Sequence, residues 1–308
     1  MKTGWLTGLP PYLKLLIILV ITIASSMLIT IFCLGIAIPF FGVDEVMAIT
    51  RGAGSIPLLK YLQITQSFSV FIIPSFLAAV ILSRKPLKWL RFGKIELGYT
   101  LLVIFIMLAA QPMTGLLGYL NTQMTLPDFL KGWESWMAVA EANANGIIFQ
   151  FLDTTSPLQL VINVVMIVLL PAFGEELLFR GAIQPTLKKV IKSPHAAVWI
   201  TAFLFSAMHM QFFTFAPRFF LGALLGYMLM YGKNIWYPII GHLINNLLSL
   251  ILFYYLRITQ PEINPLDASA DQPDLWMIIA STLLMIGLFG FFKNNMKWTF
   301  GSVSSRNK

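Results

Sequence analysis

Charged residues are scarce in this sequence, and that scarcity excludes a soluble globular protein. Only 11% of the 308 residues are charged and 57% are hydrophobic, whereas soluble domains carry about 25% charged residues. We therefore expect an integral, multi-pass membrane protein. Its apolar runs are about 20 residues long and do not alternate with polar positions, which excludes a membrane β-barrel. The fold class expected is an all-α helical bundle, because only helices and closed barrels satisfy their backbone in lipid.

Cysteine is nearly absent, so disulfides cannot organise the chain. Cys33 is the one cysteine, and the redox compartment cannot be inferred from it. The first apolar run, from about Leu15 to Phe41, is too long for a cleavable signal peptide and lacks a small-residue cleavage site, so we expect a retained span. A net charge of +8 would suggest nucleic-acid binding in a soluble protein. Here we assign it to basic cytoplasmic loops and expect no nucleic-acid partner.

The apolar runs predict about eight transmembrane helices. They cover approximately residues 13–41, 62–83, 97–120, 158–187, 195–215, 217–232, 235–256 and 275–293. We expect one membrane domain over 1–308, with three spans and an outer loop in 1–157. A catalytic core is expected in 158–256, and a second outer loop, the last span and a tail in 257–308.

Charge alternates between successive loops and so predicts the orientation. The basic residues that orient the spans are Lys2, Lys14, Arg84, Lys85, Lys88, Arg91, Lys94, Lys188, Lys189, Lys192, Lys233, Lys293, Lys297, Arg306 and Lys308, against Lys131 and Arg257 in the intervening loops. They occupy the N-terminal stub, alternate loops and the tail, and an excess of Lys and Arg marks the cytoplasmic side. The intervening loops 121–157 and 257–274 are acidic, with Asp128, Glu134, Glu141, Asp153, Glu262, Asp267, Asp271 and Asp274. Both termini are therefore expected in the cytoplasm.

The first acidic loop contains an amphipathic stretch, LPDFLKGWESWMAVA. Its apolar residues at helical spacing are Leu126, Phe129, Leu130, Trp133, Trp136 and Met137. The pattern predicts a helix. It either lies in the outer membrane interface or packs on the bundle as an ordinary loop helix.

Two adjacent carboxylates interrupt an apolar run in PAFGEELLFRG, residues 171–181. A charge at mid-bilayer costs at least ~2.5–3.5 kcal/mol. Glu176 and Arg180 are spaced i and i+4 in the favourable order, so we predict an ion pair. Glu175 is rotated by about 100° from Glu176 and can face another neighbour, where it could perform chemistry. Pro171 and Gly174 are expected to loosen the helix just before the pair.

Two of the three histidines also fall within predicted spans. His209 lies in the fifth span and His242 in the seventh, where Asn246 shares its helix face. Their distances from flanking lysines allow all three, together with Glu175, to lie at similar depth and face one cavity. His195 lies in a cytoplasmic turn, where a solvated or capping role is expected. The structural alternative is a polar network that only ties helices together.

Two chemistries suit these groups. In the first, Glu175 and His209 hold and deprotonate a water, and His242 and Asn246 stabilise the oxyanion. In the second, Glu175, His209 and His242 ligate zinc with water in the fourth position. The spacing leaves both open. Neither the compact HExxH zinc-protease signature nor a GxSxG serine elbow occurs.

Three motifs resemble those of the CAAX prenyl endopeptidase and bacteriocin-processing family, also called the Abi family. EELLFR (175–180) resembles its EExxxR motif, FSAMH (205–209) its FxxxH motif and HLINN (242–246) its HxxxN motif. They appear in the family's order, each on its own predicted span.

The resemblance implies an intramembrane endopeptidase with an eight-helix bundle. Glu175 and His209 would activate water, and His242 and Asn246 would bind the oxyanion. Supporting residues would be Glu176, Arg180 and Phe205. Metal-dependent and metal-free mechanisms are both compatible with the family, so zinc is the cofactor to consider, and we favour the metal-free form.

Family members cleave prenylated CAAX proteins or act in peptide maturation and bacteriocin immunity. The expected partners are therefore the lipid bilayer and a peptide or lipidated peptide substrate, and the expected location is a bacterial inner or plasma membrane. Two other classes remain open. One is a proton-coupled transporter in which Glu175 and the histidines form a relay. The other is a non-catalytic immunity or scaffold protein.

Overall fold

The computed structural model describes residues 4–261 and 274–304, with side chains up to Met296. No strand occurs in this described part, which confirms the all-α prediction. It contains nine long helices: α1 (Pro11–Phe41), α2 (Ile56–Leu82), α3 (Leu97–Thr122), α4 (Lys131–Leu152), α5 (Pro157–Ile191), α6 (Pro194–Met208), α7 (Phe215–Gly232), α8 (Trp236–Thr259) and α9 (Leu275–Ser304). Several charged residues used to predict the orientation lie outside the described residues: Lys2, Glu262, Asp267, Asp271, Arg306 and Lys308.

Six of the described helices are long and apolar enough to cross a membrane, namely α1, α2, α3, α5, α8 and α9. The remaining two predicted spans correspond to α6, with 15 residues, and α7, with 18 residues. At 1.5 Å per residue, α6 reaches about 22 Å, less than a ~30 Å hydrocarbon core. The protein is a multi-pass helical membrane protein, while the count of eight and the side of the termini stay predictions.

The chain divides into two compact units, each built from separated stretches of sequence. Unit one comprises Met1–Phe92 and Ile148–Ser193, and unit two comprises Gly93–Ile147 and Pro194–Lys308. The predicted core 158–256 therefore contributes residues to both units. The sequence-based division into domains stays a prediction.

Unit one is built from α1, α2 and α5, and three prolines shape the latter two helices. Each proline follows a π-helical stretch by two residues: Ser67–Ile72 precedes Pro74, Val164–Leu169 precedes Pro171, and Leu177–Ile183 precedes Pro185. Proline has no N–H and its ring clashes with the carbonyl four residues back. A π turn bonds i to i+5 and so accommodates both defects. The helices therefore continue through these prolines instead of ending.

Unit two centres on α3, which packs against α7, α8 and α9. The buried core residues at this centre are Val103, Ile106, Met107, Ala110, Leu225, Met228, Tyr237 and Phe292. The rings of Tyr99, Tyr237 and Phe292 meet edge to face, with the Tyr237 and Phe292 centroids 5.6 Å apart. This arrangement is favourable for aromatic rings, and it holds α8 against α3 and α9.

The amphipathic stretch of the first acidic loop is helical, as predicted. A 3₁₀ turn, Asp128–Leu130, leads into α4, and the Glu134 carboxylate accepts a hydrogen bond from the Leu126 N–H at 2.8 Å. Phe129, Trp133 and Trp136 are exposed. The exposed aromatic face suits a membrane interface, and the location of α4 in the outer leaflet stays a prediction.

Candidate functional site

The paired carboxylates lie near the middle of α5, within unit one. Glu176 ends the α-helical stretch Leu170–Glu176, and a π-helical stretch follows immediately. Arg180 Nη1 lies 2.8 Å from Glu176 Oε1, and both side chains are 0% exposed. The predicted ion pair is therefore present, and it is fully buried. A buried charge that lost its partner would cost several kcal/mol of stability, so each residue offsets the cost of burying the other.

Glu175 is also buried, at 8% exposure, and it interacts electrostatically with Arg180 as well. The helical wheel predicted that the two glutamates would serve separate neighbours. In the structure Arg180 serves both glutamates, because it forms a 2.8 Å ion pair with Glu176 and also interacts electrostatically with Glu175.

Gly174 precedes the two glutamates and has a different role from the expected loosening of the helix. A Cβ atom at this position would lie 2.9 Å from Phe71 Cβ and 3.1 Å from Ile72 Cγ1. Glycine therefore allows α5 to approach the π-helical stretch of α2 closely, one residue before Glu175. Any larger residue must move one of the two helices.

His209 lies at the end of α6, not within it. The predicted span 195–215 is wrong at its second end, because α6 stops at Met208 and Met210 has a left-handed backbone. The His209 Nδ1 atom lies 2.9 Å from the Phe205 carbonyl oxygen. A carbonyl can only accept, so Nδ1 carries the proton and Nε2 of the neutral ring does not. Nε2 is then the nitrogen suited to accept a proton or to ligate a metal.

Side chains from two other helices shape the loop between α6 and α7. Glu141 of α4 accepts hydrogen bonds from the Phe213 N–H at 2.9 Å and from the Thr214 hydroxyl at 3.2 Å. Asn121 of α3 accepts one from the Ala216 N–H at 2.7 Å. These bonds supply partners for backbone groups that a continuous helix would have satisfied internally, and they stabilise the segment that leads into α7.

Sequence analysis did not single out Glu141 as a site residue, although it is only 5% exposed. A signal was available in the amphipathic pattern. Glu141 lies five residues after the exposed Trp136, about 140° round the helix from it at about 100° per residue. An acidic residue on a buried face requires hydrogen-bond donors.

Phe205 links the two candidate histidines of unit two. Its ring centroid lies 5.2 Å from the His209 ring and 5.8 Å from the His242 ring, and both contacts are edge to face. His242 is buried on α8, one residue after Gly241. A Cβ at Gly241 would lie 2.8 Å from Leu225 Cδ2, so the glycine lets α8 pack closely on α7 beside His242.

Asn246 is oriented by a chain of amides. The Gln111 amide of α3 donates to Asn245 Oδ1 at 3.5 Å, and the Asn245 amide donates to Asn246 Oδ1 at 3.4 Å. The bonds are long, but they run in one direction. The Asn246 side chain also carries an N–H₂ group, which is the kind of donor that an oxyanion needs.

The predicted site residues divide between the units as follows. Unit one holds Glu175, Glu176 and Arg180, and unit two holds Phe205, His209, His242 and Asn246. Within either unit, the described residues bring no three His, Cys, Asp or Glu side chains together as a metal site. His195 is exposed and lies 3.0 Å from the Tyr227 hydroxyl.

Comparison with known proteins was made by family model, by sequence and by structure. Residues 157–248 match the family model described as "Type II CAAX prenyl endopeptidase Rce1-like". The match covers just under a third of the chain, from the start of α5 into α8, and it includes all three motifs. It confirms the resemblance that the motifs indicated. Neither the search of curated proteins nor the search of solved structures found a match.

Proposed function

We propose that this chain is a member of the type II CAAX prenyl endopeptidase Rce1-like family, whose model matches residues 157–248, and that it hydrolyses a peptide bond of a membrane-associated or prenylated peptide. The observation that carries the proposal is the family match, since its range contains the EExxxR, FxxxH and HxxxN motifs in order. A CAAX-type intramembrane endopeptidase agrees with the multi-pass helical fold. The cleavage chemistry and the substrate class are our inferences.

In the proposed mechanism, Glu175 and His209 hold and deprotonate the attacking water. Glu175 supplies a carboxylate in a buried position. His209 supplies Nε2, the ring nitrogen opposite the Nδ1 that contacts the Phe205 carbonyl oxygen. The hydroxide adds to the substrate carbonyl carbon, and the proton taken from water passes to the leaving amine as the C–N bond breaks. A positioned general base typically contributes about 10²–10⁴-fold to the rate.

His242 and Asn246 stabilise the negative oxygen of the tetrahedral intermediate in this proposal. Their supports are the Phe205 ring, which contacts His242, and the Gln111–Asn245 amides, which orient Asn246. Donors held in place before the reaction need no reorganisation when charge develops. Removing one such donor costs about 10²–10³ in kcat.

A zinc-dependent form of the same peptidase is the alternative we retain. Glu175, His209 and His242 provide a His₂Glu donor set of the kind that catalytic zinc sites use. The Nδ1–H of His209 donates to a backbone carbonyl, and this is also how metal-bound histidines are commonly oriented. Zinc, when bound, would polarise the substrate carbonyl or lower the pKa of a bound water.

The test is cleavage of a farnesylated CAAX-type peptide by the full-length protein in proteoliposomes. We expect Glu175→Gln and His209→Ala each to lower kcat by at least about 10²-fold. His195→Ala is the matched control, because His195 is exposed and lies outside the three motifs, and it should retain activity. Cleavage at wild-type rates by both motif variants would remove Glu175 and His209 from the chemistry. Wild-type protein that never cleaves but protects cells from a bacteriocin would favour the scaffold alternative.

Metal analysis of the active, purified protein distinguishes the two mechanisms. Zinc at one equivalent, lost together with activity on chelation and restored with it, would require the zinc-dependent form. Full activity after exhaustive chelation, in a sample with substoichiometric metal, would support the metal-free form.

A further inference from the structure

A basic cavity of about 570 Å³ opens in unit one, where α2 ends and the N-terminal segment passes close by. It plays no part in the proposed peptidase chemistry. The lining residues are Thr7, Ser83, Arg84, Lys85, Lys88 and Trp89. Three cationic side chains, two hydroxyl side chains and one tryptophan thus line a single open depression, and all of these residue types can donate hydrogen bonds.

The walls of this cavity are fixed by backbone contacts. The Gly4 N–H donates to the Val80 carbonyl at 2.8 Å, and the Leu6 N–H donates to the Ile81 carbonyl at 3.2 Å. Gly4 lies so close to the chain that a Cβ would approach the Arg84 backbone nitrogen to 2.8 Å. The Ser83 hydroxyl accepts a hydrogen bond from the Lys85 N–H at 3.1 Å. The cavity is therefore built into the fold and not a chance gap between mobile side chains.

The charge around the cavity is of one sign. This end of unit one contains Lys14, Arg84, Lys85, Lys88, Arg91, Lys188, Lys189 and Lys192. The acidic residues of the unit lie elsewhere: Asp44 and Glu45 follow the far end of α1, Asp153 precedes α5, and Glu175 and Glu176 lie within α5. Cations gathered at one end of a unit repel one another at short range. An anion in the cavity would relieve that repulsion.

The apolar surroundings favour a lipid over a soluble anion. Trp5 and Leu87 are 71% and 59% exposed and flank the cavity along the sequence, and Trp89 lines it. Tryptophan is enriched where the headgroups of a membrane meet its hydrocarbon core. The cavity begins one residue after α2, a candidate span, ends. A bound headgroup would therefore lie at membrane level, with its acyl chains beside exposed apolar side chains.

We propose that this cavity binds the phosphate headgroup of an anionic phospholipid. Arg84, Lys85 and Lys88 contact the phosphate, Thr7 and Ser83 add hydroxyl donors, and Trp89 lies beside the glycerol region. Basic pockets between membrane helices on the cytoplasmic side are suited to such headgroups. Bound lipid would fix the N-terminal segment against α2.

The experiment measures lipid binding to the full-length protein by native mass spectrometry from a neutral detergent. The probes are dioleoyl-phosphatidylglycerol, dioleoyl-phosphatidylcholine and glycerol 3-phosphate. The test variant is Lys85→Gln/Lys88→Gln. The matched control is Lys188→Gln/Lys189→Gln, which removes the same charge from exposed positions at the same end without altering the cavity lining. All four lysines are exposed, so both variants should fold.

We expect wild-type protein to bind phosphatidylglycerol in preference to phosphatidylcholine. Each lysine near an anionic lipid contributes about fivefold to affinity, so the test variant should bind on the order of 25-fold more weakly. The control should keep most of the wild-type affinity. Equal losses in the two double variants would indicate a diffuse charge effect and overturn the proposal. Equal binding of the two lipids would do the same, and tight binding of glycerol 3-phosphate alone would identify a soluble anion instead.

Discussion

Removing Arg180 from the buried Glu176–Arg180 pair should cost several kcal/mol of stability. In Arg180→Met, Glu176 remains buried at 0% exposure without the cation of its close ion pair. A buried charge that has lost its partner typically costs ~3–5 kcal/mol, so the free energy of unfolding should fall by about that amount.

The double variant Glu176→Leu/Arg180→Met removes both charges and supplies apolar side chains of similar length. Such replacements are often neutral or stabilising, so this variant should recover most of the loss. Free energies of unfolding, measured by reversible denaturation in mixed micelles, test both statements. A loss in Arg180→Met below about 1 kcal/mol, or an equal loss in the double variant, would refute the reasoning.

The same pair of glutamates yields a functional comparison. Glu175→Gln should change the free energy of unfolding far less than Glu176→Leu, because Glu176 makes the close contact with Arg180. Under the proposed function, kcat for cleavage should show the reverse order: Glu175→Gln should lower kcat more than Glu176→Leu does. If Glu175→Gln were both the less active and the less stable variant, its lost activity could come from lost structure. The kcat measured on the folded fraction would then show whether Glu175 takes part in the chemistry.

Two further predictions concern contacts that position the motif residues. Glu141→Ala should lower kcat with little change in KM, since it deprives the loop after His209 of two hydrogen bonds at a cost of ~1–3 kcal/mol. Glu141→Gln, which keeps an acceptor oxygen, should be milder, and equal effects of the two variants would contradict this role. Gly174→Ala should lower the free energy of unfolding by ~1–3 kcal/mol through its clash with Phe71. Gly146→Ala, in a helical position with open space, is the control and should stabilise by ~0.5–1 kcal/mol; a loss in both variants would rule out the close-contact explanation.

Local patterns in the sequence predicted the helices well, and tertiary hydrogen bonds account for the main error. The apolar runs mark all eight segments, because each needs only its own composition to form a helix in lipid. The segment between α6 and α7 is hydrogen-bonded to Glu141 and Asn121, which lie more than 60 residues away along the chain. No pattern near His209 contains that information, so the predicted span runs on to residue 215. The amides that orient Asn246 are likewise distant, since Gln111 belongs to α3.

The Glu176–Arg180 prediction succeeded even though the backbone between the two residues is not α-helical. Residues 177–183 form a π-helical stretch, so the α-helical wheel used to place Arg180 does not strictly apply. In a π turn the hydrogen bonds run from i to i+5, and residues four apart still lie next to each other on the helix surface. A pair at i and i+4 is therefore insensitive to which of the two helices forms. Residues further along α5 do change the direction in which they point, because each π turn rotates the helix face that follows it. A helix face assigned from the sequence beyond Pro185 must be corrected for that shift. Glu175 and Glu176 come just before the π-helical stretch Leu177–Ile183, so their assignment depends only on the earlier π-helical stretch, Val164–Leu169.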